Sequence, residues 1–292
     1  MHSINKRSLR QRQIAYKKYP LSLILFLLVL SAALLTVCIL LFLVGYILIK
    51  GIPFITADLF AWEYNSTNVS LMPAMINTVL MVLLSLIIAV PFGVFSAIYL
   101  VEYAKRGNKL VEIVRITTET LSGIPSIVYG LFGLLFFVTT LGWGMSLLAG
   151  AFTLSIMILP LIMRTSEEAL KSVSDAYREG SFGLGAGRLR TVFRIVLPAA
   201  SPGIFAGIIL AVGRIVGETA ALIYTAGTVP KIPYGKDFLF DSTRTLSLHM
   251  YALSSEGLYI DQAYATAVIL LVIVFIINRM SGFLAKRIMK GN

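Results

Sequence analysis

Residues 21–49 contain no charged side chain, and nothing else in the sequence restricts the fold so severely. A bilayer core about 30 Å thick is crossed by roughly 20 apolar residues of helix, with every backbone hydrogen bond closed inside the segment. Five further stretches reach or approach that length: 71–100, 120–141, 146–163, 203–225 and 263–284. The chain is 58% apolar and 13% charged, too little polar surface to cover a water-soluble globule. Alternating segments of about ten residues, the mark of a membrane β-barrel, do not occur. The expectation is an all-α polytopic membrane protein with six transmembrane helices.

The basic N-terminus followed by an apolar run imitates a signal peptide, with Ser31-Ala32-Ala33 as small residues. A signal core spans only about 7–15 residues, so an uncleaved first helix is expected. Cys38 is the one cysteine, and His2 and His249 are the only histidines. Neither a disulfide nor a cysteine- or histidine-rich metal cluster can be built from them. The spans hold no histidine and no paired aspartates, which argues against an intramembrane enzyme.

Lys and Arg outnumber Asp and Glu by 25 to 14. Twenty of those cations fall before the first span, between the second and third, between the fourth and fifth, and at the C-terminal end from Arg279 on. Lys50, Lys231, Lys236 and Arg244 lie on the other side, and Arg214 lies inside the fifth span. The bias of cations toward the cytoplasm places both termini there and accounts for the net charge of +11 without nucleic acid. The organisation expected is a cytoplasmic basic N-terminus (1–20), a first transmembrane helix (21–49), a core of five helices (71–284) and a cytoplasmic tail (285–292). The core includes a cytoplasmic loop at 164–200.

That loop is patterned. Its start has helical spacing. Gly180, Gly183, Gly185 and Gly187 then interrupt it, and Leu189, Val192, Phe193 and Val196 follow at the spacing of an amphipathic helix. Helix, glycine turn and helix on the cytoplasmic face fit either an interfacial element on lipid headgroups or a docking element for a partner. In the fifth span Arg214 and Glu218 stand four apart, on one face of a continuous helix. An ionisable group at that depth costs roughly 2.5–3.5 kcal/mol on insertion scales. Two readings stay open: a structural ion pair joining helices, or an arginine whose planar fork receives a transported oxyanion while Glu218 serves as its counter-charge. Gly203/Gly207 and Gly213/Gly217 have the four-residue spacing that lets helices approach closely. Glu119, Ser122, Ser126, Tyr129 and Gly133 form a polar-to-small stripe that suits a pore or a packing face. Pro125 within it should kink the span. The outer segment 226–262, with Pro230, Pro233 and Tyr234, is either a receiver for an external partner or a solvated connector.

Glu179-Gly180-Ser181, Gly185, Ile195 and Leu197-Pro198 resemble, at matching spacing, the EAA loop of binding-protein-dependent ABC importer permeases. Gly180 and Ser181 replace its two alanines. Residues 122–130, with Gly123, Pro125 and Ser126, resemble a signature of the phosphate-specific permeases. So does Gly213-Arg214-Ile215-Val216-Gly217-Glu218-Thr219. Tyr99-Leu100-Val101-Glu102-Tyr103 resembles the PstA type, although Ala221 stands where that type often has proline. The resemblance implies an ABC importer type I permease fold in a bacterial inner membrane and transport of inorganic phosphate without chemistry in this chain. Glu179, Gly185, Ile195, Leu197 and Pro198 would seat a coupling helix on the ATPase, with Glu179 capping or orienting it. Arg214 and Glu218 would line the pathway. No cofactor is implied for this chain, which has no Walker motif; ATP and Mg would sit on a separate ATPase. The implied partners are a sister permease (PstC type), an ATPase dimer (PstB type), a periplasmic phosphate-binding protein (PstS type) and membrane lipid. Another oxyanion such as sulfate, molybdate or phosphonate is the alternative cargo, and a membrane sensor or scaffold the alternative role.

Overall fold

The structure is a computed structural model that describes residues 20–105 and 107–290. The expected basic N-terminus, apart from Pro20, lies outside the described residues, as do Arg106 and the last two residues of the tail. The chain divides into two units, Met1–Lys50 and Gly51–Asn292. In the first, helix α1 (Pro20–Gly51) is apolar on every face, as only a helix surrounded by lipid or protein can be.

The second unit is helical, with no strand among the described residues. Its elements are α2 (Met72–Ile98), α3 (Lys109–Ser122), α4 (Ser126–Gly133), α5 (Leu147–Lys171), α6 (Asp175–Gly183), α7 (Arg188–Thr191), α8 (Leu197–Val216), α9 (Ala220–Thr225), α10 (Leu246–Glu256) and α11 (Ile260–Lys290). Among the described residues five helices are long and apolar enough to cross a bilayer, and the α3–α4 pair, bent by 102°, brings the number to six. The protein is a multi-pass membrane protein.

The core is built on α5, whose Leu154, Met157, Ile158 and Ile162 are fully buried between neighbouring spans. Ser155 donates to the Ser85 carbonyl of α2 at 3.1 Å and to its own Ala151 carbonyl. Its hydroxyl is thereby satisfied where no water reaches. Gly203 and Gly207 bring α8 onto α5: a Cβ at 203 would lie 2.7 Å from that of Ala169, and one at 207 would collide with Thr165. Gly213 faces open space and Gly217 touches only a carbonyl of its own turn, so this second pair does not pack helices within the chain.

Four sequence expectations change. The span expected at 120–141 with a kink at Pro125 is broken outright there, because Pro125 has no N–H to donate and the chain turns at 123–125. The span expected to end at 163 continues to Lys171 as α5. The amphipathic segment after the glycines is not a separate helix, since α7 runs through a π turn (Val192–Val196) straight into α8. The irregular part of the loop thus shrinks to the joints around α6. Finally, the outer segment contains α10, whose Leu246, Leu248 and Leu253 are buried; that half of it is no solvated connector.

Candidate functional site

Two interrupted spans meet inside the bundle. At the first interruption the amides of Gly123 and Ile124 close single turns onto Thr120 and Leu121, and Pro125 takes an extended conformation (φ −59°, ψ 142°) before Ser126 opens α4. The Tyr129 hydroxyl donates to the Leu121 carbonyl at 2.8 Å, clamping α4 back onto the end of α3. Gly123 and Pro125 are exposed at this elbow and Ser126 is half-buried. Gly130 then lies against α9, where a Cβ would stand 2.8 Å from the Ala221 Cα. Tyr129, Gly130 and Gly133 are all buried, so the lower half of the polar-to-small stripe is a packing face. Glu119 and Ser122 lie beyond the bend, on α3.

The second interruption falls between Arg214 and Glu218. Helix α8 stops at Val216, and Gly217 and Glu218 close turns onto Gly213 and Ile215. The Glu218 carboxylate accepts the Ala221 N–H at 3.1 Å at the start of α9, while Ser247 of α10 donates to the Glu218 carbonyl at 2.6 Å. Glu218 is 9% exposed. The expected counter-charge is therefore corrected: the helix ends between the two residues, the spacing of four no longer puts them on one face, and Glu218 serves as a cap. Among the described residues the ion pairs within 4.0 Å do not include Arg214. Arg214 as a residue is half-buried, and it is close enough to Tyr129 for its charge to act on the phenol.

The glycine turn forms a second candidate region. Ser174 caps α6 by accepting from the Ala176 N–H, so the capping role expected of Glu179 belongs to Ser174; Glu179 sits exposed in mid-helix. After α6, Gly185 adopts φ +82°, its N–H bonds to Phe182 at 2.9 Å and the Ala186 N–H to Ser181 at 3.1 Å. This pair of bonds with a left-handed glycine is the Schellman motif, which most residues enter only with strain. The Ser181 and Thr191 hydroxyls meet at 2.8 Å, buried, and join α6 to α7. Tyr177, Phe182, Leu189 and, at 91%, Leu184 are exposed around the turn, and Leu184, Gly185 and Ala186 share a surface hollow with Arg190 and Arg194. Ile195 and Leu197 are half-buried and Pro198 is exposed. Pro198 comes just after the π turn, an irregularity that accommodates its missing N–H within an otherwise continuous helix.

Sequence reading missed two charge clusters. Arg178 clasps Glu102 with Nη2 to Oε1 at 2.7 Å, and this hydrogen bond, foremost, holds the guanidinium still more firmly in its charged form. Glu167 of α5 receives Arg115 of α3 and Lys171, each at 2.7 Å. The Glu167 pair with Lys171 was legible as a four-residue spacing; the two long-range pairs carry no local signal.

Residues 89–290 match the family described as "Binding-protein-dependent transport system inner membrane component". The chain is 32% identical over 266 residues to the "Probable ABC transporter permease protein YqgI" of Bacillus subtilis, covering 84% of this chain and 88% of that protein. To the "Phosphate transport system permease protein PstA 1" of Mycobacterium tuberculosis H37Rv it is 34% identical over 219 residues, covering 73% and 70%. Among solved structures it resembles a chain of a bacterial alginate ABC transporter in complex with its pentasaccharide-bound periplasmic protein (TM-score 0.67, 18% identity, 94% of this chain and 98% of that one). It also resembles a chain of the inward-facing MetNI methionine ABC transporter (TM-score 0.59, 20% identity, 74% and 93%). These likenesses agree with the all-α ABC importer permease fold.

Proposed function

Because the chain belongs to the binding-protein-dependent transport system inner membrane components, we propose that it is the permease subunit through which an ATP-driven importer passes inorganic phosphate. That it is an ABC importer permease subunit follows from the family. Phosphate as the cargo rests on one observation above all: Arg214 stands in a span beside two helix breaks with no carboxylate paired to it among the described residues. A cation so placed is stabilised by an anion, and phosphate offers several acceptor oxygens to a planar guanidinium. The name of the mycobacterial relative supports the same cargo.

In this reading Arg214 receives the anion, while Gly123, Pro125 and Ser126 form the elbow at its side and Glu218 holds the start of α9 in place. Peptide groups freed by the two breaks supply further polar contacts at that depth. The apolar surface around Gly185 seats in the ATPase, with Glu179, Ile195, Leu197 and Pro198 on the segments that shape it. The rest of the assembly is a PstC-type sister permease, a PstB-type ATPase dimer that binds ATP and Mg, and a PstS-type periplasmic phosphate-binding protein. In this reading both termini face the cytoplasm of a bacterial inner membrane, which the distribution of Lys and Arg supports.

The test is phosphate uptake by cells carrying Arg214 variants, with membrane insertion and ATPase co-purification as controls. Arg214→Lys keeps the charge and loses the fork, and uptake should fall by about tenfold, the equivalent of one charge-assisted hydrogen bond. Arg214→Gln should nearly abolish it. Normal uptake in both would remove Arg214 from the pathway.

A further inference from the structure

Arg178 ties together three segments that the sequence separates. Its Nε donates to both Glu102 oxygens at 3.1 and 3.3 Å. Nη2 donates to Glu102 Oε1 at 2.7 Å and to the Leu170 carbonyl at 2.9 Å. Nη1 donates to the Val173 carbonyl at 2.7 Å and to Asp175 Oδ1 at 3.1 Å. Glu102 belongs to the π turn (Tyr99–Tyr103) that ends α2, and Leu170 to the last turn of α5. The side chains of Arg178 and Glu102 are 14% and 8% exposed, so water and salt screen the pair little. A fork engaged at all three nitrogens has no freedom to rotate, unlike a lone surface ion pair.

The geometry also shows what the clasp connects. Helix α6 leads directly into the exposed apolar turn at Leu184 and Gly185. Ser181 and Thr191 carry its far end to α7 and thereby to α8; Arg178 carries its near end to α2 and α5. We propose that Arg178 and Glu102 form a strut that makes α6 and the inner ends of α2 and α5 move as one body, so that displacement of α6 reaches the pathway helices. Arg178 is a positioning residue: it touches neither cargo nor nucleotide. A lysine could not replace it, because a single ammonium cannot reach two carboxylate oxygens and two carbonyls together.

This inference rests on the reading of the chain as an ATP-driven permease subunit, and its test separates the two. The full transporter, with sister permease and ATPase subunits, is reconstituted in proteoliposomes with the phosphate-binding protein and inorganic phosphate. Phosphate taken up and ATP hydrolysed are measured together. Arg178→Lys, and the milder Glu102→Gln, which keeps shape and an acceptor oxygen, should both retain co-purified ATPase and continue to hydrolyse ATP. Phosphate moved per ATP should fall by about tenfold, as expected for the loss of one charge-assisted hydrogen bond. A ratio equal to wild type in both variants would overturn the strut, and so would a parallel loss of uptake and hydrolysis, which indicates a merely structural contact. A wild-type assembly that moves no phosphate counts instead against the importer reading.

Discussion

The carboxylate of Glu218 receives the backbone N–H of Ala221 at 3.1 Å and thereby starts α9 where α8 has ended. A glutamine there keeps an acceptor oxygen, whereas an alanine leaves the amide bare at a cost of about 1 kcal/mol for an exposed cap and more in a dry interior. Glu218→Gln should therefore retain most phosphate uptake and Glu218→Ala should lose it. Removing both charges in Arg214→Leu/Glu218→Leu should not restore transport, since the two residues are not a pair. Uptake assays of the three variants check this, and full recovery in the double variant would return the structural ion pair to favour.

Gly130 sets the spacing between α4 and α9. A Cβ at 130 meets backbone, 2.8 Å from the Ala221 Cα, and backbone gives way less easily than a side-chain tip. Gly130→Ala should destabilise the subunit by about 1–3 kcal/mol, the usual cost of overpacking, and Gly130→Leu should prevent its accumulation in the membrane. The thermal midpoint of the purified Gly130→Ala protein in detergent measures the first effect; an unchanged midpoint would contradict the contact.

Gly185 has open space around it and φ +82°, so its constraint is conformational and not steric. A β-branched residue there pays the left-handed penalty of about 1–2 kcal/mol or distorts the turn. Gly185→Val should insert into the membrane yet lose co-purified ATPase and uptake, while Gly185→Asn, which enters the left-handed region more readily, should retain more of both. A valine variant that binds ATPase and transports normally would show the motif match to be accidental.

His249 of α10 is fully buried with its ring edge-on to Tyr64 at 5.9 Å, and Arg244 stands over the same tyrosine at 5.7 Å. Burial, and then the Arg244 charge, push the imidazole down to about 4. The folded protein thus holds it neutral where an unfolded chain would bind a proton. Its contribution to stability is complete above about pH 6.5 and declines as pH falls toward 4, by about 3 kcal/mol at the lower end. Thermal midpoints measured across that window should fall more steeply for the wild type than for His249→Gln. Parallel slopes would contradict the assignment.

How much of this was readable in the sequence depends on the range of the interaction. The spans at 71–100 and 263–284, Gly185 in its turn and the Gly203/Gly207 contact all follow from local pattern, and each is where it was expected. The elbow at Pro125 was legible as a kink, but not its 102° angle, which depends on how α4 packs against α9. The pairing of Arg214 with Glu218 failed because it assumed an unbroken helix, and glycine at 217 only permits the break that Ser247 and Ala221 fix from either side. Glu102 and Arg178 lie 76 residues apart, so no periodicity joins them; only the fold does.

Radiolabelled phosphate uptake in cells depleted of this protein, with excess unlabelled sulfate or molybdate as competitors, measures whether this chain carries phosphate. If this chain carries phosphate, depletion lowers the uptake, the protein supplied in trans restores it, and neither competitor reduces it. Uptake that is unaffected by depletion, or that sulfate or molybdate suppresses as effectively as unlabelled phosphate, would contradict it.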